Sequence, residues 1–319
     1  FASVRDYKKY PSKYKQRPSL PDYKHKTDGR NLLVYTNQAI SKKHLKNGMV
    51  NPSDTSLFIS TRQKNIQQVR IVPKIHGYVI EIVYNKKAEN KNLDKKRIGS
   101  IDLGVNNLAT VTSNAVSWKP LIVNGRPLKS INAFYNKKKA VLMSYVGDKK
   151  TSTSKRIRKL THMRNCKVDD ALHKSSRKII SMLVDHNIGT LVIGLNPEWK
   201  QNVNLSAITN QNFVSIPHKR FIDMLVYKAA LVGMDVVIQE EAHTSKCSFI
   251  DMEEVCHQES YAGKRIKRGL FRSKDGIIIN ADCNGSGNII RKAFSNAFAD
   301  GIQGVVVRPV RITPYKKAA

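Results

Sequence analysis

The run Thr190-Leu191-Val192-Ile193-Gly194 constrains the fold most. It is too short for a helix, and a strand without polar alternation has to be covered on both faces, as in a parallel sheet. Other segments supply its neighbours. Ile98-Gly99-Ser100-Ile101-Asp102-Leu103-Gly104-Val105 reads as a strand, and so does Asp235-Val236-Val237-Ile238-Gln239-Glu240-Glu241. Leu108 to Thr112 and Pro120 to Val123 turn back at Asn106-Asn107 and at Asn124-Gly125-Arg126, which predicts an antiparallel meander. Helical spacing covers about Ser130 to Asn187, broken by a polar insert at Gly147 to Ser154, with a basic helix pair over Lys155 to His186. A further helix over Ile216 to Leu231 carries Phe221, Met224 and Leu225 at three-to-four spacing and stops at Gly233.

Meander, helix, strand, helix, strand is the order of an α/β fold of the ribonuclease H type, built on a mixed sheet. Upstream, residues 1 to about 65 read as short strands and loops, and Val69 to Pro73 with Tyr78 to Tyr84 reads as a hairpin through His76-Gly77. A polar hinge, Asn85 to Arg97, marks a domain boundary. A chain of 319 residues exceeds what one core usually holds, so we expect a basic β-rich module over 1–95 and the α/β domain over 96–319.

Charge narrows the partners. Lys+Arg 56 against Asp+Glu 24 leaves +32, an excess that a polyanion best neutralises, and the expected partner is nucleic acid. Lys155, Arg156, Arg158, Lys159 and Arg164 are placed to follow a phosphate backbone; so are Lys264, Arg265, Lys267 and Arg268, and Trp199 beside Lys200 is a candidate for stacking on a base. No apolar stretch approaches the roughly 20 residues a bilayer requires, so no membrane partner is expected. Cysteines at 166, 247, 256 and 283 form neither a disulfide framework nor a C-x-x-C pair, which fits a cytoplasmic protein.

Acidic residues carry the chemistry. An ionised Asp102 inside an apolar strand needs a cation to offset its desolvation. Asp282 stands where the run Ile277 to Ala281 meets a helix predicted over Asn288 to Phe298, and its alternative role is a helix N-cap. Phosphodiester hydrolysis calls for divalent metal on hard oxygen ligands, and two aspartates seldom suffice. Gly194 occupies the usual place of a third carboxylate. Glu198 lies in a loop beyond it, whereas Glu240 and Glu241 end a neighbouring strand, and alternation lets only one of them face Asp102.

Gly99 to Ala109 around Asp102, His243-Thr244-Ser245-Lys246-Cys247-Ser248, and Asn280-Ala281-Asp282-Cys283-Asn284-Gly285-Ser286-Gly287-Asn288-Ile289 resemble, in order, the RuvC-like nuclease of TnpB (OrfB) proteins. These accompany insertion sequences and are related to the type V CRISPR effectors and Fanzor proteins. The resemblance spans about Tyr10 to Pro309. It implies an RNase H-like (RuvC-like) nuclease domain, a wedge module at 1–95 that grips guide RNA, and a zinc-ribbon-like insertion at 243–279. Some family members relocate the missing glutamate to the strand before the Thr-Ser pair. Glu241 matches that place, so the implied metal ligands are Asp102, Glu241 and Asp282, with Glu240 ranked below. The implied cofactor is Mg²⁺ or Mn²⁺. The insertion is degenerate: Cys247 and Cys256 have no tetrahedral spacing, so no structural zinc is predicted, and Phe249, Ile250, Met252 and Leu270 are expected to hold it together. The resemblance further implies an N-terminal strand and a helical lobe that this chain lacks. The implied activity is RNA-guided endonucleolytic cleavage of double-stranded DNA by a two-metal mechanism. Two alternatives are a silent RNA-guided repressor and a guide-independent metal-dependent nuclease.

Overall fold

In a computed structural model, all residues are described except 1, 20–23, 25–28, 117, 147–152, 196–215, 300, 303–307 and 316–319. The chain divides into two compact units, Phe1–Lys86 and Lys87–Ala319.

The first unit opens with helix α1 (Ala2–Lys9), where the sequence predicts short strands and loops. β1 (Leu33–Thr36) and the hairpin of β4 (Ile66–Lys74) and β5 (Gly77–Tyr84) form an antiparallel sheet ordered β1-β4-β5. A short helix α2 (Lys42–Lys46) and the ribbon of β2 (Met49–Val50) with β3 (Ile59–Ser60) complete it. The core is small: Ile40, Val50, Ile66 and Val69, flanked by Tyr35, Ile80 and Ile82.

The second unit is a mixed α/β structure. β6 (Asp94–Leu103), β7 (Asn107–Ser113) and β8 (Leu121–Asn124) form the antiparallel meander. β6 starts within the expected hinge, so a boundary at 95/96 would cut a strand. Helices α3 (Arg126–Ser144) and α4 (Lys155–Asp185) follow; α4 is one helix of 31 residues and not a pair. Then come β9 (Ile188–Gly194), α5 (His218–Ala230) and β10 (Asp235–Gln239), and β10 stops before Glu240. β11 (Lys264–Lys267), β12 (Leu270–Arg272) and β13 (Ile278–Asn280) make a small antiparallel sheet. Helix α6 (Ala281–Ala293) and β14 (Val310–Ile312) end the unit.

The large sheet is ordered β10-β9-β6-β7-β8-β14, and β6, β9 and β10 run parallel. All seven residues of β9 are buried, as a strand covered on both faces requires. Alternation sends Ile101, Leu103, Leu191 and Ile193 towards α4 and α5, into a core with Leu172, Ile179, Leu183, Phe221 and Leu225. Ile98 and Val192 point the other way, to Phe249, Ile289, Ile290 and Phe298. Phe249 therefore joins the main unit rather than a separate ribbon. The ribbon's own cluster is Phe271, Ile279 and Ala281 with Ile250, and Met252, more than a third exposed, is not in it. Among the described residues, no helix is long and apolar enough to cross a membrane.

Candidate active site

The C-terminal ends of β6 and β9 bring the chemistry together. Ile101 pairs with Ile193 and Ile193 with Ile238, so Asp102, Gly194 and Gln239 fall in one row across three parallel strands. Asp102 shares the parity of Ile98 and Ser100 and so faces α6. That helix lies close to the sheet because its residues are small: Ser286 Oγ sits 2.9 Å from both Ser100 Oγ and Thr112 Oγ1, and a Cβ at Gly285 would come within 3.0 Å of Asp102 Oδ2. Asn284 and Asn288, one turn apart, each donate to the Cys247 carbonyl, and Phe249 N donates to Asn284 Oδ1 at 2.9 Å. Each buried amide is satisfied, which locks the 244–249 segment onto the helix.

Glu241 comes from one strand further out. A Cβ on Gly194 would overlap Glu241 Oε1 and lie 2.8 Å from Glu241 Cγ, so the side chain folds back over the position where β9 offers none. Thr244 donates from both its backbone N and its Oγ1 to the Glu241 carbonyl, at 3.1 and 2.9 Å, fixing that turn. Glu240 points elsewhere: it is exposed and pairs with Lys292 at 3.5 Å.

Asp282 lies in the first turn of α6, but Asn280 is the cap, accepting from Asp282 N and Cys283 N. The helix starts earlier than predicted and takes in the whole Asn284 to Gly287 stretch. The Asp282 carboxylate accepts from Asn107 Nδ2 at 2.5 Å and stands 3.6 Å from the Arg265 guanidinium.

Asp102 carries the electrostatic burden of the site. Burial pushes the Asp102 carboxyl well above the usual carboxylate range, and the charges of Glu241 and Asp282 push it further, with Arg265 opposing. Asp102 keeps some solvent access as a residue, but its carboxyl is packed within the protein. Burial raises Glu241 to about 7, and its buried Oε1 has no hydrogen-bond partner. An orphaned carboxylate oxygen beside a second crowded carboxylate, both hard donors, fits a divalent cation. Among the described residues, however, no three His, Cys, Asp or Glu side chains stand close enough to hold a metal ion. Asp102 feels the charge of Glu241, while Asp282 is turned onto Asn107 and Arg265.

The other sequence candidates are dispersed. Lys155, Arg156 and Lys159 are exposed along the first part of α4. Arg158 is half-buried, and Arg164 turns inward, donating to Asn132 Oδ1 at 2.7 Å. Lys264, Arg265, Lys267 and Arg268 are exposed on the β11–β12 hairpin, while Glu198, Trp199 and Lys200 lie outside the described residues. Cys247 and Cys283 are buried, Cys256 is half-buried and Cys166 exposed, all as free thiols. Sequence reasoning missed Asn107, Thr244 and Gly285 as neighbours of the acids. Each stands in a quoted motif, but only the fold shows which acid it serves.

Comparison with known proteins shows the resemblance to the TnpB (OrfB) family. Residues 80–200 match the OrfB_IS605 family, described as a probable transposase, and residues 218–289 match the Cas12f1-like TNB domain. The CRISPR-associated endodeoxyribonuclease Cas12f2 of a Micrarchaeota archaeon is 25% identical over 236 residues, covering 69% of this chain and 41% of that protein. The TnpB-like protein ORF457 of Acidianus two-tailed virus is 26% identical over 223 residues, covering 67% and 44%. This chain thus spans less than half the length of these relatives. Among solved structures, a Cas12f1-sgRNA-target DNA complex aligns with a TM-score of 0.46 at 16% identity, covering 69% of this chain and 55% of that one. A CRISPR-Cas12f ternary complex aligns at 0.46 and 14%, covering 70% and 45%.

Proposed function

We propose that a chain resembling TnpB and Cas12f proteins in this way carries the nuclease part of an RNA-guided DNA endonuclease: an RNase H-like (RuvC-like) domain in the Lys87–Ala319 unit, with the Phe1–Lys86 unit holding guide RNA. The observation that carries this reading is Glu241 laid over the bare Gly194 position, its charge felt by Asp102, with a buried carboxylate oxygen left unsatisfied. A structural acid pair has no reason to be crowded and unneutralised at the ends of parallel strands.

Asp102 and Glu241 would hold Mg²⁺ or Mn²⁺, with Asp282 as the third donor. When bound, divalent cations activate the attacking water and offset charge on the leaving oxygen, the two-metal arrangement. Asn107 orients Asp282 through its amide. Arg265, within an ion-pair distance of Asp282 and felt by Asp102, is the counter-charge for an incoming phosphate. The exposed cations of the β11–β12 hairpin, within the 243–279 insertion, would guide target DNA to the site, and sequence choice would rest on base pairing with the guide.

One observation favours a second reading, a nuclease-silent RNA-guided binding protein: the three acids do not form a ready set of ligands, and Asp282 is already engaged. The test incubates the purified protein and its co-purifying RNA with a labelled target duplex in Mg²⁺ or EDTA. We expect cleavage that is metal-dependent, guide-dependent and abolished by Asp102→Ala. Guide-dependent binding without cleavage would establish the silent reading, and cleavage without RNA would establish a guide-independent nuclease.

A further inference from the structure

Helices α3 and α4 pack as an antiparallel pair whose contact is clasped by polar bonds. Arg164 Nε donates to the buried Asn132 Oδ1, and Tyr135 Oη lies 3.1 Å from Thr161 Oγ1. Beside this clasp runs a groove, with hollows of about 260 and 680 Å³ that share Phe134, Leu160 and Met163. Phe134, Val141 and Leu142 on α3 and Tyr145 just past its end recur at helical spacing and would normally define a buried stripe. Here they do not: Phe134 is 58% exposed and Tyr145 82%, and Val141 and Met163 are nearly half exposed. An uncovered apolar strip of this kind marks an interaction surface.

Its rim identifies the occupant. The charged residues lining the two hollows are Lys138, Arg156, Lys159, Arg164 and Lys167, with no acidic side chain among them. A second copy of a chain carrying +32 would meet that rim with its own excess of cations. A duplex would offer phosphates to the lysines but nothing to the rings, because its bases are stacked on one another. An unpaired strand offers both, its phosphates to the rim and its base faces to exposed aromatic rings.

We propose that the α3–α4 groove is a stacking track for unpaired nucleotides of a single strand, with Phe134 and Tyr145 taking the bases and Lys138, Arg156 and Lys159 the phosphates. The inference rests on the nucleic-acid-directed reading above, but needs neither metal nor cleavage. Any process that opens a duplex near Asp102 generates such a strand.

The test measures fluorescence anisotropy of labelled dT20 and of a 20-base-pair duplex with the full chain in EDTA. We expect Phe134→Ala with Tyr145→Ala to weaken dT20 at least tenfold, since stacking contributes at that level for each base, while duplex affinity stays within about twofold. Both residues are exposed, so the double variant should keep its melting temperature. Lys138→Glu with Lys159→Glu should weaken both ligands. Unchanged dT20 affinity in the aromatic variant overturns the track. So does a parallel loss for both ligands, or a wild-type dimer that the aromatic variant dissociates on light scattering, which would make the groove a self-association face. Neither result bears on cleavage, which the Asp102→Ala assay reads separately.

Discussion

A single methyl group at Gly194 would contend for the space of two side chains. It would overlap Glu241 and stand 2.6 Å from Ile289 Cδ1, so Gly194→Ala should destabilise by about 1–3 kcal/mol, the usual range for overpacking. A denaturation series on a double-mutant cycle with Glu241→Ala checks the geometry. The glycine substitution should cost less once Glu241 is shortened, and strict additivity would mean the two side chains never met. Glu241 also ties stability to pH. Its carboxyl is raised from 4.5 to about 7 by burial, so the neutral form is the stabilised one. In EDTA, that stabilisation should be complete below about pH 4.5 and lost as pH rises through about 7. Glu241→Gln should flatten this part of the profile, and melting curves from pH 5 to 8 in wild type and variant would test it.

At the scale of the element, α6 binds the site together. Asn284 is fully buried and joins Phe249 N to the Cys247 carbonyl, so Asn284→Ala should cost about 1–3 kcal/mol by leaving Phe249 N unpaired, while the Cys247 carbonyl keeps the Asn288 amide. Urea unfolding measures it; a change below half a kcal/mol would mean the 244–249 segment is held by other contacts. This helix also shows the limits of sequence. The meander, β9 and α5 were legible because apolar spacing alone predicts them, and Asp102 stood out as a charge inside such a run. The first turns of α6 were not, because Asn284-Gly285-Ser286-Gly287 has poor helix propensity and only packing against β6 and Phe249 makes it helical. Glu240 and Glu241 could not be separated from alternation alone, since β10 ends before either. What separates them is the empty space over Gly194 on one side and Lys292 on the other.

Over the whole molecule, the charge of +32 governs association. If roughly six to ten phosphates are engaged, affinity for nucleic acid should fall about 10³- to 10⁵-fold between 50 and 200 mM salt. Titrations at several salt concentrations check this, and a shallow slope would mean that few of the exposed cations reach the backbone. The order of the strands has one more implication. β10 is the outermost strand of the sheet and only five residues long, and Glu241 hangs just past its end. Margins fray before centres do, so the acid seated furthest out departs while Asp102 is still firmly held. Warming should therefore silence the proposed cutting several degrees before the protein melts, leaving an intermediate range in which it grips its target but leaves it whole.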